Sequence, residues 1–381
     1  MFKKLVIAGA IVAAATGSAL AETKNVDVYG RLDMGVVSVD NVGTNQQRLT
    51  HLTSSPIATS HIGFRGTEDL GGGLKASFML ESQINPADGT QGVSSGSGSA
   101  NAVFGREANL ALSSDLGTVR IGRQVMPVYQ YFNQSDVRGG MGFGSSLVYF
   151  ADGSTFGGTA TAKTGVSAFT GGTYGSNIVS YQSPNMNGFT VRAMYGFGNT
   201  AGDLDYSKKL GLGALYDKGA IIATVGHYET YSSAGVKNGE TQFVGGGVRV
   251  TDRWIVRGGY ATMENPNGAG AVNTKFDLRQ VSTAYNVTSD VMAFVGYYNF
   301  KDKITAGNES KMVSTGVEKS LSKRTKIYAL AAQQDNAGTM GFAAYGGGGA
   351  NYNSLSTSQY QSVVQSGGKT TAYALGMVHT F

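Results

Sequence analysis

Hydrophobic and polar residues alternate with a period of two along most of the chain. In VDVYGRLDMGVV, Val26, Val28, Leu32, Met34 and Val36 share one side, while Asp27, Tyr29, Arg31 and Asp33 share the other. TAYALGMVHTF repeats the pattern, with Tyr373, Leu375, Met377, His379 and Phe381 set against mostly small residues. Successive side chains of a strand point to opposite faces, so these segments predict strands with one bulky face. Seven turn signals separate such segments: EDLGGG (68–73), SDLG (114–117), SPNMNG (183–188), YDKG (216–219), TDRW (251–254), NVTSD (286–290) and LSKR (321–324). Most carry the Asp, Asn, Gly or Pro that tight turns require. From the third turn to the seventh they recur about every 32 to 35 residues, room for two membrane-length strands and two connections. Seven such turns with an opening and a closing strand predict sixteen antiparallel strands. An even number lets the last strand pair with the first, leaving no free edge.

A soluble sandwich or propeller also shows evenly spaced strands and glycine turns. Composition separates the two. Charged residues make up 14% of the chain, against about 25% in soluble domains. Gly 57, Pro 5, Tyr 20 and Phe 17 suit a sheet with one face in lipid. Aromatic residues near strand ends (Phe276, Tyr285, Tyr297, Tyr298 and Phe300) read as interfacial girdles. Cysteine is absent, so backbone pairing and packing must hold the fold.

Residues 1–21 read as a secretory signal peptide, with Lys3 and Lys4, an apolar run from Leu5, and the cleavage site Ala19-Leu20-Ala21. Residues 22–381 are then expected to form a single transmembrane β-barrel domain. Beyond the leader no apolar run of about twenty residues occurs, which excludes a helical membrane protein. The formal charge of +5 drops by two when Lys3 and Lys4 leave, and the remaining cations are dispersed. That argues against a nucleic-acid surface.

The membrane also fixes which way charges point. An Arg or Lys on the lipid face at mid-bilayer costs about 2–4 kcal/mol. Parity therefore turns Arg31 and Asp33 inward, with His61 and Arg65 in HIGFRG, and Lys75 and Glu81 in KASFMLESQI. Arg192 in FTVRAMY, Arg249 in VGGGVRV and Arg257 in WIVRGGY follow the same rule. FGREANLALSS breaks it, because Arg106 shares parity with Leu110 and Leu112. Either this strand lies against another subunit or its register is displaced. Sixteen strands enclose more space than side chains fill, so the pattern predicts an aqueous lumen and hence a channel.

Catalytic chemistry finds little support. The four histidines are His51, His61, His227 and His379, and SLSK (320–323) falls in a turn without partners. Asp203 and Asp205 either grip a cation or form a solvated loop, and the glycine runs precede no helix. No cofactor and no metal are expected.

Several stretches carry a family likeness. VDVYGRLDMGV, HIGFRGTEDLGGGLKASFMLES, FGREANLALSSDLGTVRIGRQ, YQSPNMNGFTVRAMYGFG and the terminal GMVHTF resemble the general porins of Gram-negative outer membranes, in their beta-proteobacterial and neisserial branch. The resemblance implies an outer-membrane homotrimer of sixteen-stranded barrels with short periplasmic turns and long extracellular loops. It implies that a third loop, near 126–172 and including PVYQYFNQSDVRGGMGFGSSLVYFADGS, folds into the lumen. Arg31, Arg65 and Arg106 match wall positions opposite that loop, Arg120 joins them by parity, and Asp136, then Asp152, is the expected loop acid. The chain departs from the family at His61 and Tyr174, where arginines are usual, so the positive cluster is thinner.

The implied function is passive diffusion of ions and small hydrophilic solutes with weak anion selectivity. The alternative is a substrate-specific channel with a saturable site for phosphate, a sugar or a dicarboxylate. The implied partners are outer-membrane lipid and lipopolysaccharide, and the insertion machinery. Tyr373, Leu375, Met377, His379 and Phe381 resemble the strand signal that machinery reads.

Overall fold

The computed structural model describes residues 26–42, 46–91, 102–140, 142–150, 173–266, 274–342 and 366–381. The expected leader, Asp152 and the third loop beyond residue 150 lie outside the described residues. The strands are β1 (Asp27–Val42), β2 (Gln47–Ser54), β3 (His61–Gly71), β4 (Leu74–Asn85), β5 (Thr90–Gln91), β6 (Glu107–Ser114), β7 (Gly117–Val125), β8 (Tyr174–Gln182) and β9 (Phe189–Gly196). They continue as β10 (Lys209–Lys218), β11 (Ile221–Tyr231), β12 (Lys237–Arg249), β13 (Trp254–Asn265), β14 (Thr274–Asn286), β15 (Val291–Asp302), β16 (Glu309–Ser320), β17 (Thr325–Ala337) and β18 (Lys369–Thr380).

Each of the seven turn signals joins consecutive antiparallel strands. β2 and β3 lie end to end against the two halves of β1, and β5 is a short hairpin on the end of β4. Counted that way, the wall is a closed antiparallel barrel of sixteen strands. Closure runs from Arg31 opposite Thr380 to Val39 opposite Ala372. Gly30 and Phe381 extend it by exchanging both backbone hydrogen bonds, at 3.1 and 3.0 Å. Gly30 is obligatory there, since a Cβ would stand 2.5 Å from the Phe381 ring and 2.6 Å from the His61 carbonyl oxygen.

The outer face carries the apolar set read from parity. Val28, Val36, Leu110, Ile121, Leu212, Val244, Val281, Val313, Leu375 and Met377 all project from it. In lipid that exposure is solvation, and the closed ladder leaves no wall strand as a bare edge. Tyr285 and Tyr297 also project outward, but Phe276, Tyr298 and Phe300 do not. Their alternation places them inside, each at most 4% exposed, which corrects the girdle reading for those three.

β6 resolves the broken pattern. The strand begins at Glu107, so Ala108, Leu110 and Leu112 form an ordinary apolar face and Glu107, Asn109 and Ala111 point inward. Arg106 precedes the strand and escapes its alternation. The position of Arg106 outside the strand accounts for the break in the pattern.

Candidate functional site

Among the described residues, two of the segments that turn into the barrel build the site. The first is Ser55–Ser60, between β2 and β3. Asp33 Oδ2 accepts the backbone N–H groups of Ile57 and Ala58, both at 2.7 Å, and Oδ1 accepts the Tyr328 hydroxyl at 2.8 Å. Ser60 Oγ takes the Asp33 N–H at 2.9 Å, and Ser55 Oγ takes that of Ser60 at 2.8 Å. The Thr59 carbonyl faces the Arg31 guanidinium at 3.3 Å and His61 Nδ1 at 2.9 Å.

The second is the long connection after β7. Pro127 opens helix α1 (Pro127–Phe132), where a missing N–H is harmless, and a 3-10 turn (Asn133–Ser135) continues it. α1 packs on β9 to β12 and the 3-10 turn on β11 to β13. Tyr129, Tyr131, Phe132 and Tyr149 bury against Tyr228, Phe243, Met263, Leu278, Tyr298, Phe300 and Met312 of that wall. Each large side chain removed from water is worth about 1.5–3 kcal/mol, so this loop is fastened to one side of the lumen. The Phe143 N–H donates to the Pro56 carbonyl at 2.6 Å, joining the two inturned segments.

Asp136 does not face the basic wall, as the expectation had it. It is fully buried, accepting from the Tyr298 hydroxyl at 2.8 Å, the Ser282 hydroxyl at 3.4 Å and the Arg138 N–H at 2.9 Å. Asp33 is equally buried, behind the Ile57 and Ala58 amides. Both carboxylates hold backbone in place instead of presenting charge to the lumen. An ionised carboxylate buried without such donors would be far costlier.

The opposite wall gathers the other expected residues. Glu81 accepts from Tyr29 at 3.0 Å, lies 3.5 Å from His61 Nε2, and forms an ion pair with the Arg106 guanidinium. Arg106 also lies over the Tyr174 ring at 5.0 Å. Tyr174 thus supplies a π face where an arginine was expected. Arg65 stands 3.5 Å from Asp27 and 4.8 Å above the Tyr29 ring, with its side chain 53% exposed. Lys75 is exposed at the start of β4. Arg120 donates to Asn109 Oδ1 at 2.6 Å, whereas Arg192, on β9 beneath the loop rather than opposite it, bonds Gln130 Oε1 and covers the Tyr131 ring at 5.0 Å. A cavity of about 460 Å³ lies beside Asp27, Arg65 and Arg120.

Parity missed Arg123. Gly122 has φ +118° and the register shifts beside it, a bulge that strict alternation cannot anticipate. Arg123 is buried, donating to the Gly105 carbonyl at 2.6 Å and Ser176 Oγ at 2.8 Å. Gly122 itself, next to a strand arginine, is the signal that was available. Arg257 faces inward and reaches the Asp136 carbonyl at 3.2 Å. Arg249 binds Asp217 at 3.0 Å beside a short turn.

Elsewhere, Asp203 Oδ1 accepts the N–H groups of Asp205 and Tyr206, and Asp205 pairs with Lys208. That is the solvated-loop reading. On the outer face His227, Glu229 and Glu240 converge within 4.8 Å, donors a divalent cation could use. The Lys237 ammonium already bridges both carboxylates. His379 points outward and bonds Thr325 Oγ1 at 2.9 Å.

Comparison with known proteins agrees with this geometry. A family model described as Gram-negative porin matches residues 8–339. Outer membrane porin protein 32 of Delftia acidovorans is 28% identical over the full length of both chains. An outer membrane porin protein of Bordetella pertussis is also 28% identical, covering 88% of this chain and 94% of that one. Among solved structures, an anion-selective porin from Comamonas acidovorans superposes with a TM-score of 0.74 at 24% identity, covering 94% of this chain and 99% of that one.

Proposed function

The chain belongs to the Gram-negative porin family of the outer membrane, and from that premise we propose a weakly anion-selective diffusion channel. One observation carries the selectivity. Of the inward acids, Asp33, Glu81, Glu107 and Asp136 are each at most 9% exposed and turn their oxygens to protein donors, while exposed Asp27 stands against Arg65. The cations Arg31, Arg65, Lys75, Arg120 and Arg192 keep more access to the lumen. A lumen with screened acids and accessible guanidinium groups favours anions. The structurally similar porin of Comamonas acidovorans is anion-selective, which supports the same reading.

Transport on this reading is diffusion past the inturned loop, with no chemical step. The loop narrows the lumen against β9 to β16, and Arg31, His61, Arg65, Arg106 and Arg120 line the side left open. Residues 1–21 serve as the export leader, and three copies assemble within lipopolysaccharide-bearing membrane. Tyr373, Leu375, Met377, His379 and Phe381 form the strand that the insertion machinery reads. Swelling of liposomes carrying the purified protein tests this. Neutral sugars should enter at rates that fall with size and do not saturate, and small anions faster than cations of equal size. Equal or reversed rates for the two charges would refute the selectivity.

A further inference from the structure

His61 opens β3, opposite Arg31 of β1 on one side and Gln83 of β4 on the other. It is 9% exposed, and both of its ring nitrogens face oxygen. Nδ1 lies 2.9 Å from the Thr59 carbonyl, which can only accept, so Nδ1 carries the hydrogen of the neutral ring. That tautomer leaves a lone pair on Nε2, turned toward Glu81 Oε2 at 3.5 Å. Lone pair and carboxylate then meet with no hydrogen between them. A proton on Nε2 converts this contact into an ion pair. We propose that the His61–Glu81 contact is a proton switch, which raises the channel's preference for anions in mildly acidic medium. The switch rests on the channel reading and deepens it.

The groups packed around the ring set the sign. β1 brings Tyr29, whose ring meets the imidazole edge-on at 6.0 Å, and Arg31, whose guanidinium shares the Thr59 carbonyl. β4 brings Glu81, and the segment before β6 brings Arg106, paired with the other Glu81 oxygen. Beyond these, Asp33 is engaged by the Ile57 and Ala58 amides, and Glu107 by Asn109 and the Val125 N–H. Glu81 and the Thr59 carbonyl touch the imidazole, one at each nitrogen. With His61 neutral, Arg31 and Arg106 stand against Glu81, and protonation adds a third cation to the same wall. The added charge favours anions in the lumen. An arginine here would hold its charge at every working pH, whereas imidazole changes charge near pH 6.5.

The test records reversal potentials of the purified full-length protein in an uncharged phosphatidylcholine bilayer. One potassium chloride gradient is kept while pH is taken from about 8 to about 5, the interval in which imidazole ordinarily titrates. The anion-to-cation permeability ratio should rise toward acid by up to about fivefold in dilute salt, the effect of one added charge in a water-filled passage. The rise should follow a single-proton curve. His61→Gln should give a flat ratio, and His61→Arg should stay near the acid-limit value throughout. Glu81→Gln removes the partner and should move the midpoint to lower pH. His51→Gln, at a histidine paired with Val37 farther along β1, should titrate as wild type does. A conducting wild-type channel whose ratio is flat, or falls toward acid, would overturn the switch and leave the diffusion channel standing. So would a response that His61→Gln retains or His51→Gln abolishes. A bilayer silent at every pH would overturn the channel reading, and the switch with it.

Discussion

The hydroxyl of Tyr298 donates to Asp136 Oδ2 at 2.8 Å, joining residues 162 positions apart, and both side chains are at most 1% exposed. This contact and the aromatic layer around it hold the inturned loop against one wall. Tyr298→Phe keeps the ring and removes the donor, leaving a buried carboxylate short of one partner. Loop docking should weaken by about 1–3 kcal/mol. Open-channel current noise reads it, and the variant should be noisier than wild type at equal conductance. Indistinguishable noise would mean that the loop is held elsewhere.

The second anchor is steric. Gly142 has φ +80°, and a Cβ there would stand 2.5 Å from the Ile57 backbone. Gly142→Ala should push the loop from Ser55–Ser60 and break the Phe143 to Pro56 hydrogen bond. The change is expected to alter single-channel conductance while leaving the barrel's melting temperature within a few degrees, because wall pairing is untouched.

Glu81 sets how much positive charge the wall shows. It neutralises Arg106 and faces His61, so Glu81→Gln should uncover the Arg106 charge. An added unit charge acting with about 1 kcal/mol in a water-filled passage changes the anion-to-cation ratio by up to roughly fivefold, less at high salt. The reversal potential in a dilute salt gradient should move toward the anion limit. Movement toward cations would contradict the arrangement described.

Tyr129 on α1 gives a pH dependence with a definite sign. Burial pushes its phenol up to about 12, since the charged form would lie in the loop's apolar layer. A folded-state value above the unfolded one contributes stability that is complete below about pH 10 and lost as pH rises toward 12. The late-titrating part of the tyrosinate absorbance should fall by one phenol in Tyr129→Phe. Ordinary titration of that phenol near 10 would contradict burial.

Barrel closure offers a mutation at the seam. Gly30→Val would drive a side chain into the Phe381 ring and the His61 carbonyl. Folded, heat-modifiable protein should fall sharply, whereas Val28→Ile, two residues away on the lipid face, should fold normally. Equal yields would show that the seam tolerates bulk.

The wall was legible because lipid outside and water inside impose strict parity. Val28 against Tyr29 and Leu375 against Ala374 could be placed by counting. Turn chemistry gave the strand number for the same reason. Parity alone could not tell lumen-facing aromatics from girdle residues, but Tyr297 and Tyr298 are adjacent and cannot share a face. Charge alone could not show that Asp33 and Asp136 are anchors. Their partners, Tyr328 and Tyr298, lie far away in sequence and meet them only after the barrel closes. Arg106 and Arg123 escaped because one precedes its strand and the other follows a glycine bulge.

The reversal potential of the wild-type channel under a potassium chloride gradient tests most directly the claim that the lumen's cations outweigh its shielded acids. A stepwise, ohmic conductance with a potential displaced toward the chloride equilibrium value is the result expected. A potential displaced toward potassium, or a bilayer that stays silent, would contradict it.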